Sequence, residues 1–162
     1  MNLGLNDIIE FAIRIEDSGE KFYRHAASMS RDDEVSAVFT RLANEEVYHK
    51  KFFMNLFSGM EKHPPMEVSS DDNTASLREY IDVNDVFSVD KEQALSNIIS
   101  MGDALDFAMK RELGAVLYYQ EMKKSVTDRY SKMLDKIIET EWRHFKTLTD
   151  VKKKFLRDAS LR

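Results

Sequence analysis

Glutamate is followed three positions later by histidine twice in this chain, at Glu46–His49 in "NEEVYHKK" and at Glu141–His144 in "ETEWRHFK". Residues three apart on a helix share a face, so each pair can offer a carboxylate and an imidazole to one point. Both pairs interrupt apolar stripes at helical spacing. One stripe reads Val35, Phe39, Leu42, Glu46, His49, Phe53, Leu56; the other reads Leu134, Ile137, Glu141, His144, Leu148, Val151, Phe155. Two further stripes are each broken by one glutamate: Ile9, Ala12, Glu16, Gly19, Tyr23, Ala26, and Leu105, Ala108, Glu112, Ala115, Tyr119, Met122. Four ionised carboxylates in a core are very costly without compensation, and the stripes hold no matching set of Lys or Arg. Two divalent cations would neutralise them. Carboxylate and imidazole donors suit iron or manganese, and zinc also accepts them. The candidate ligands are therefore Glu16, Glu46, His49, Glu112, Glu141 and His144. Two redox metals held this way can take a two-electron oxidant such as H2O2 or O2. Tyr23 and Tyr119 follow Glu16 and Glu112 by two turns on the same faces and are expected to donate hydrogen bonds to the carboxylates.

Four helices must position these residues. The first is expected from an N-cap at Asn6 or Asp7 to about Ser28, and the second from Asp32 or Asp33 to about Phe57, with Gly59 as its stop. The third starts near Asp90 or Asp103 and ends near Lys124; the fourth runs from about Thr127 to Arg157. Short loops within each pair make antiparallel hairpins. Between them "EKHPPMEVSSDDNTAS" carries both prolines and a run of turn formers. The chain is thus expected to be one all-α domain over 1–162: hairpin 6–58, long crossover 59–90, hairpin 91–157.

The halves also repeat. Setting "DIIEFAIRIEDSGEKFY" on "DALDFAMKRELGAVLYY" superposes Asp7 on Asp103, Phe11 on Phe107, Glu16 on Glu112 and Tyr23 on Tyr119 at a constant offset. In the second helices Leu42, Glu46 and His49 fall on Ile137, Glu141 and His144. A duplicated hairpin predicts approximate two-fold symmetry, with the site near the pseudo-axis.

Composition removes other classes. The net charge of −5 argues against nucleic acid. The chain has no cysteine, which excludes disulfides, thiolate metal sites and Cys nucleophiles among these residues. "MNLGLNDIIEFAIRIED" carries charges inside its apolar run, so it reads neither as a signal peptide nor as a membrane span, and a cytoplasmic location is expected. Glu20, Glu45 and Glu139 are read as solvated, with Glu20, one turn after Glu16, the one spare carboxylate near the ligands. His25 and His63 are read as surface residues, Trp142 as packed or facing a partner, and "VKKKFLR" as a helix C-terminus complementing its dipole.

The stretches "IEDSGEKFY", "LANEEVYHKKFF", "ALDFAMKRELGAVLYY" and "IIETEWRHFKTL" resemble the rubrerythrin-like branch of the ferritin-like superfamily. The resemblance implies a ferritin-like four-helix bundle with a di-iron centre on the six residues above, Glu46 and Glu141 bridging. It also implies peroxide reduction or ferroxidase-type chemistry, and a homodimer. Two departures stand out. Full rubrerythrins carry a Cys-ligated rubredoxin-like iron domain, so here electrons are expected from a separate donor protein. They also usually carry an extra glutamate one turn after the third helix's ligand, where this chain has Ala115; the ligand set is closer to the symmetric bacterioferritin type. The first expectation is a di-iron oxidoreductase acting on H2O2 or O2. Its rivals are a ferroxidase that handles iron and a non-enzymatic metal-binding bundle.

Overall fold

The computed structural model describes residues 5–62, 76, 79, 96 and 98–161. Helix α1 spans Leu5–Met29 and α2 spans Asp33–Lys62. Helix α3 spans Met101–Met122, a 3-10 turn follows over Lys123–Ser125, and α4 spans Asp128–Ser160. Asp32 Oδ1 accepts from the Glu34 and Val35 amides at 2.9 and 3.2 Å and so caps α2. Ser100 caps α3, its Oγ accepting from the Asp103 amide at 3.1 Å and donating to the Asp103 carboxylate at 2.6 Å.

One expected boundary differs and another is decided between two alternatives. Gly59 does not stop α2, which continues through it to Lys62; a single glycine costs a helix only about 1 kcal/mol, too little to end one that is held by packing. Helix α3 begins at Met101, next to Asp103, the second of the two expected starts, because Ser100 and Asp103 cap it through reciprocal bonds. The crossover expected over 59–90, beyond Lys62, the stretch 91–97 except Ser96, and His63 lie outside the described residues, apart from the helical positions Ser76 and Glu79.

The Tyr118 hydroxyl donates to Ile8 O at 3.0 Å and Phe107 lies against Phe22, ring centroids 5.0 Å apart, so α1 and α3 run antiparallel. Lys154 pairs with Glu34, and His144 with Glu45, so α2 and α4 also run antiparallel. With α1–α2 and α3–α4 antiparallel hairpins, α2 and α3 must point the same way. Gly59 of α2 lies by Tyr130 near the start of α4, and Gly102 of α3 by Phe155 near its end. The connection therefore has to return the length of the bundle, which is the ferritin-like topology rather than up-down-up-down.

Two apolar layers fill the interior. One gathers Ile8, Ile9, Ile15, Phe53, Tyr118 and Leu134 with their neighbours; the other gathers Phe22, Phe39, Leu42, Leu105, Ala108 and Leu148. On each helix the glutamate of the stripe falls between the residues of one layer and those of the other. Phe155, expected inside, is 37% exposed. The basic end of α4 is tied to its neighbours, Lys152 to Asp106 and Lys154 to Glu34. Among the described residues no helix is long and apolar enough to cross a membrane.

Candidate metal centre

The structure brings all six candidate ligands into one cluster between the apolar layers, each less than a tenth exposed. Helices α1 and α3 contribute Glu16 and Glu112; α2 and α4 contribute Glu46 with His49 and Glu141 with His144. The donors form two groups, Glu16, Glu46, His49, Glu141 and Glu46, Glu112, Glu141, His144, with the atoms of each group within 4.8 Å of one another. Glu46 and Glu141 belong to both. The imidazole rings lie nearly parallel, 24° between planes and 5.9 Å between centroids.

His49 Nδ1 lies 2.7 Å from Glu141 Oε1, 3.3 Å from Glu46 Oε2 and 3.5 Å from Glu16 Oε2. His144 Nδ1 lies 3.3 Å from Glu141 Oε2, 3.5 Å from Glu112 Oε2 and 3.9 Å from Glu46 Oε1. Each shared carboxylate thus turns one oxygen to one histidine and its other oxygen to the other. Glu46 Oε2, Glu141 Oε1 and both Nδ1 atoms are buried without a partner in hydrogen-bond geometry. Buried polar atoms are rarely left so; convergent lone pairs at these distances suit a pair of cations, and the donor set fits two divalent metal ions.

Protonation follows from the crowding. Burial, then the Glu141 charge, pushes Glu46 and Glu112 well above the usual carboxylate range. Burial would raise Glu141 too, but His49 and His144 outweigh it and hold it well below that range. Burial alone would depress both histidines; Glu141 and Glu16 reverse this at His49, and Glu112, Glu141 and Glu45 at His144, so both imidazoles hold their protons more tightly than usual. Without metal, protons do part of the neutralising.

Tyr23 donates to Glu112 Oε1 and Tyr119 to Glu16 Oε1, each crossing from one hairpin to the other. Burial, reinforced by the glutamate each one faces, raises both phenols well above their ordinary value, so they remain donors. They fix the carboxylates of the first and third helices from the side away from the histidines.

Two surrounding residues depart from expectation. Arg111 is an inward cation, 3% exposed, that the stripes as read did not include. Its Nη2 donates to Ile15 O at 2.9 Å and its Nη1 to Ser18 Oγ at 3.1 Å, with the guanidinium 5.8 Å from the Phe22 ring centroid. With Ile15, Glu16, Glu46, Glu112, Ala115 and Glu141 it borders a cavity of about 10 Å³, room for one water-sized molecule. Glu45, expected in solvent, places Oε2 2.6 Å from His144 Nε2, and that contact holds its carboxyl below the usual range. Glu20, read as solvated, pairs with Arg24 and Lys50 and is outside both donor groups. Glu139 is exposed as expected, and Trp142 stands edge-on to Phe145, half-exposed.

The rubrerythrin family profile matches residues 7–99, more than half of the chain. No curated protein sequence matches significantly. Among solved structures, a Thermotoga maritima protein described as ferritin-like and diiron-carboxylate superposes with a TM-score of 0.70 at 22% identity, over 94% of this chain and 97% of its own. A hypothetical protein from Pyrococcus furiosus superposes with a TM-score of 0.67 at 16% identity, over 94% of this chain and 90% of its own. These likenesses establish the ferritin-like bundle, and the profile establishes the kinship: the chain belongs to the rubrerythrin family.

Proposed function

We propose that the protein is a non-haem di-iron oxidoreductase that reduces hydrogen peroxide or dioxygen with electrons from a separate donor protein. The observation that carries this reading is the pair Glu46 and Glu141, each turning one oxygen toward each histidine. Glu16 and His49 complete one half of the centre, Glu112 and His144 the other. Bound there, two iron ions would supply two electrons and Lewis acidity, so that H2O2 with two protons becomes two waters. Zinc would fill the same donors without redox chemistry, and manganese is the other redox metal they suit.

The chain's own residues do the rest. Tyr23 and Tyr119 orient Glu112 and Glu16 and keep those carboxylates from rotating away. The apolar layers exclude bulk water. The small cavity beside Ala115 offers space for an oxidant of two heavy atoms only after small side-chain shifts, which favours H2O2 or O2 over larger substrates. These residues include no cysteine and hence no thiolate iron centre to relay electrons; a separate donor, a homodimer and a cytoplasmic setting belong to the same reading. Mixing anaerobically Fe²⁺-loaded protein with each oxidant tests it. The expected result is oxidation of two irons per H2O2 consumed, much faster than free Fe²⁺ in the same buffer. Iron oxidised no faster than free Fe²⁺ by either oxidant would overturn it.

One observation favours a second reading, Fe²⁺ oxidation for iron handling. Ala115 leaves the ligand set symmetric under the repeat, without a seventh carboxylate. Iron accumulating well beyond two per chain under repeated Fe²⁺ and O2 additions would support that reading over the first.

A further inference from the structure

The two halves of the cluster come from one repeat but are not supported alike. His144 turns Nδ1 toward Glu112 and Glu141, and its remote nitrogen, Nε2, is bound by Glu45 at 2.6 Å. Glu45 lies four residues before His49 on α2 and reaches across to the histidine of α4. The residue that the repeat sets four positions before His144 is Thr140. Its hydroxyl donates to Lys136 O at 3.0 Å and accepts from Arg143 at 2.8 Å, both within its own helix. Among the described residues no carboxylate binds the remote nitrogen of His49, which is also the more exposed histidine, 8% against 3%.

A carboxylate on the far nitrogen of an imidazole fixes the tautomer, aims the other lone pair and makes it a stronger donor; removing such a partner commonly weakens metal binding by roughly 10- to 100-fold. His144 has this support before any metal arrives. His49 has to choose its tautomer and orientation as the metal binds. Resting on the dinuclear reading above, we infer that the centre fills in two unequal steps, with Glu45 as the positioning residue that makes the Glu112–Glu141–His144 side the tight one.

The test is anaerobic titration of metal-free protein with Fe²⁺ by calorimetry, and with Co²⁺ followed by its visible absorption. The wild type is expected to show two resolved equivalents, the first roughly ten-fold tighter or more. Glu45→Gln keeps shape and removes charge; it is expected to weaken the first step by roughly 10- to 100-fold and leave the second nearly unchanged. A purely structural role would weaken both together. His49→Ala is expected to keep one tight equivalent and His144→Ala to lose it. Thr140→Glu, at a half-exposed position, supplies the missing mirror-image partner and is expected to tighten the second step. Two equivalents of equal affinity in the wild type, or equal weakening of both steps by Glu45→Gln, would overturn the inference while leaving a dinuclear centre standing. Failure to bind either metal would overturn the dinuclear reading itself, and this inference with it.

Discussion

A Cβ built on Gly19 would lie 2.8 Å from Arg111 Nη2 and 3.3 Å from Glu46 Cγ. Arg111 cannot swing away freely, since it is buried and its two terminal nitrogens hold Ile15 O and Ser18 Oγ. Alanine is the better helix former by about 1 kcal/mol. Overpacking costs about 1–3 kcal/mol, and loosening a bond to a charged donor adds about 1.5–3 kcal/mol. Gly19→Ala is therefore expected to destabilise the protein by about 1.5–5 kcal/mol net in urea unfolding; a gain in stability would show that Arg111 is not held as described. The same contact explains what could be read at this scale beforehand. The six clustered residues were legible because polar residues falling in apolar stripes at helical spacing need no partner to be noticed. Arg111 lies three residues after Ala108 and four before Ala115, so the period allowed it inward, but its burial depends on the absent side chain of Gly19 on another helix. Glu45 was missed for a related reason: its partner is on α4, and spacing along one helix says nothing about what lies across from it.

At the scale of elements, helix existence and type were written in the periodicity, whereas the ends were set by local chemistry. Ser100 starts α3 through its bonds with Asp103, and Asp32 starts α2 through its carboxylate. Gly59 looked like a terminator, but α2 carries on because Leu56 and Phe53 anchor its last turns in the core. A Cβ at Gly59 would meet only the Tyr130 hydroxyl, at an ordinary 3.6 Å. Gly59→Ala is thus expected to raise stability by about 0.5–1 kcal/mol. Chemical denaturation checks this, and a loss of stability would mean that the helix does not persist through residue 59. The contrast with Gly19 is the informative part: two helical glycines, one crowded by a buried guanidinium and one with room for an ordinary contact to a phenol, should respond with opposite sign.

For the whole molecule, the buried cluster sets how stability depends on pH. His49 and His144 hold their protons above the ordinary histidine range, and Glu46 and Glu112 above the ordinary carboxylate range. The unfolded chain releases these protons near about 4.3 for glutamate and about 6.5 for histidine. Above those values the metal-free folded state binds more protons than the unfolded state, so its stability falls as pH rises. Glu141 has the opposite sign, contributing stability that is lost only as pH falls through its depressed value. Metal-free protein is expected to melt at a lower temperature at pH 8 than at pH 6. Metal binding must displace the protons, so the rise in melting temperature on loading should be larger at pH 8 and should acidify a weakly buffered solution. Calorimetric scans with and without Fe²⁺ under argon check both. A metal-free protein that gains stability over that interval would contradict the protonation described. The topology was likewise legible at this scale, since short loops within pairs and one long connection between them leave few arrangements.

The most direct test of the central claim is metal content per chain after anaerobic reconstitution with Fe²⁺, measured by elemental analysis on wild type and Glu46→Ala. The account predicts two irons per chain in the wild type, and loss of both in the variant, because Glu46 serves both halves of the centre. A well-folded wild type that retains no stoichiometric iron, or a Glu46→Ala protein that keeps two, would contradict it.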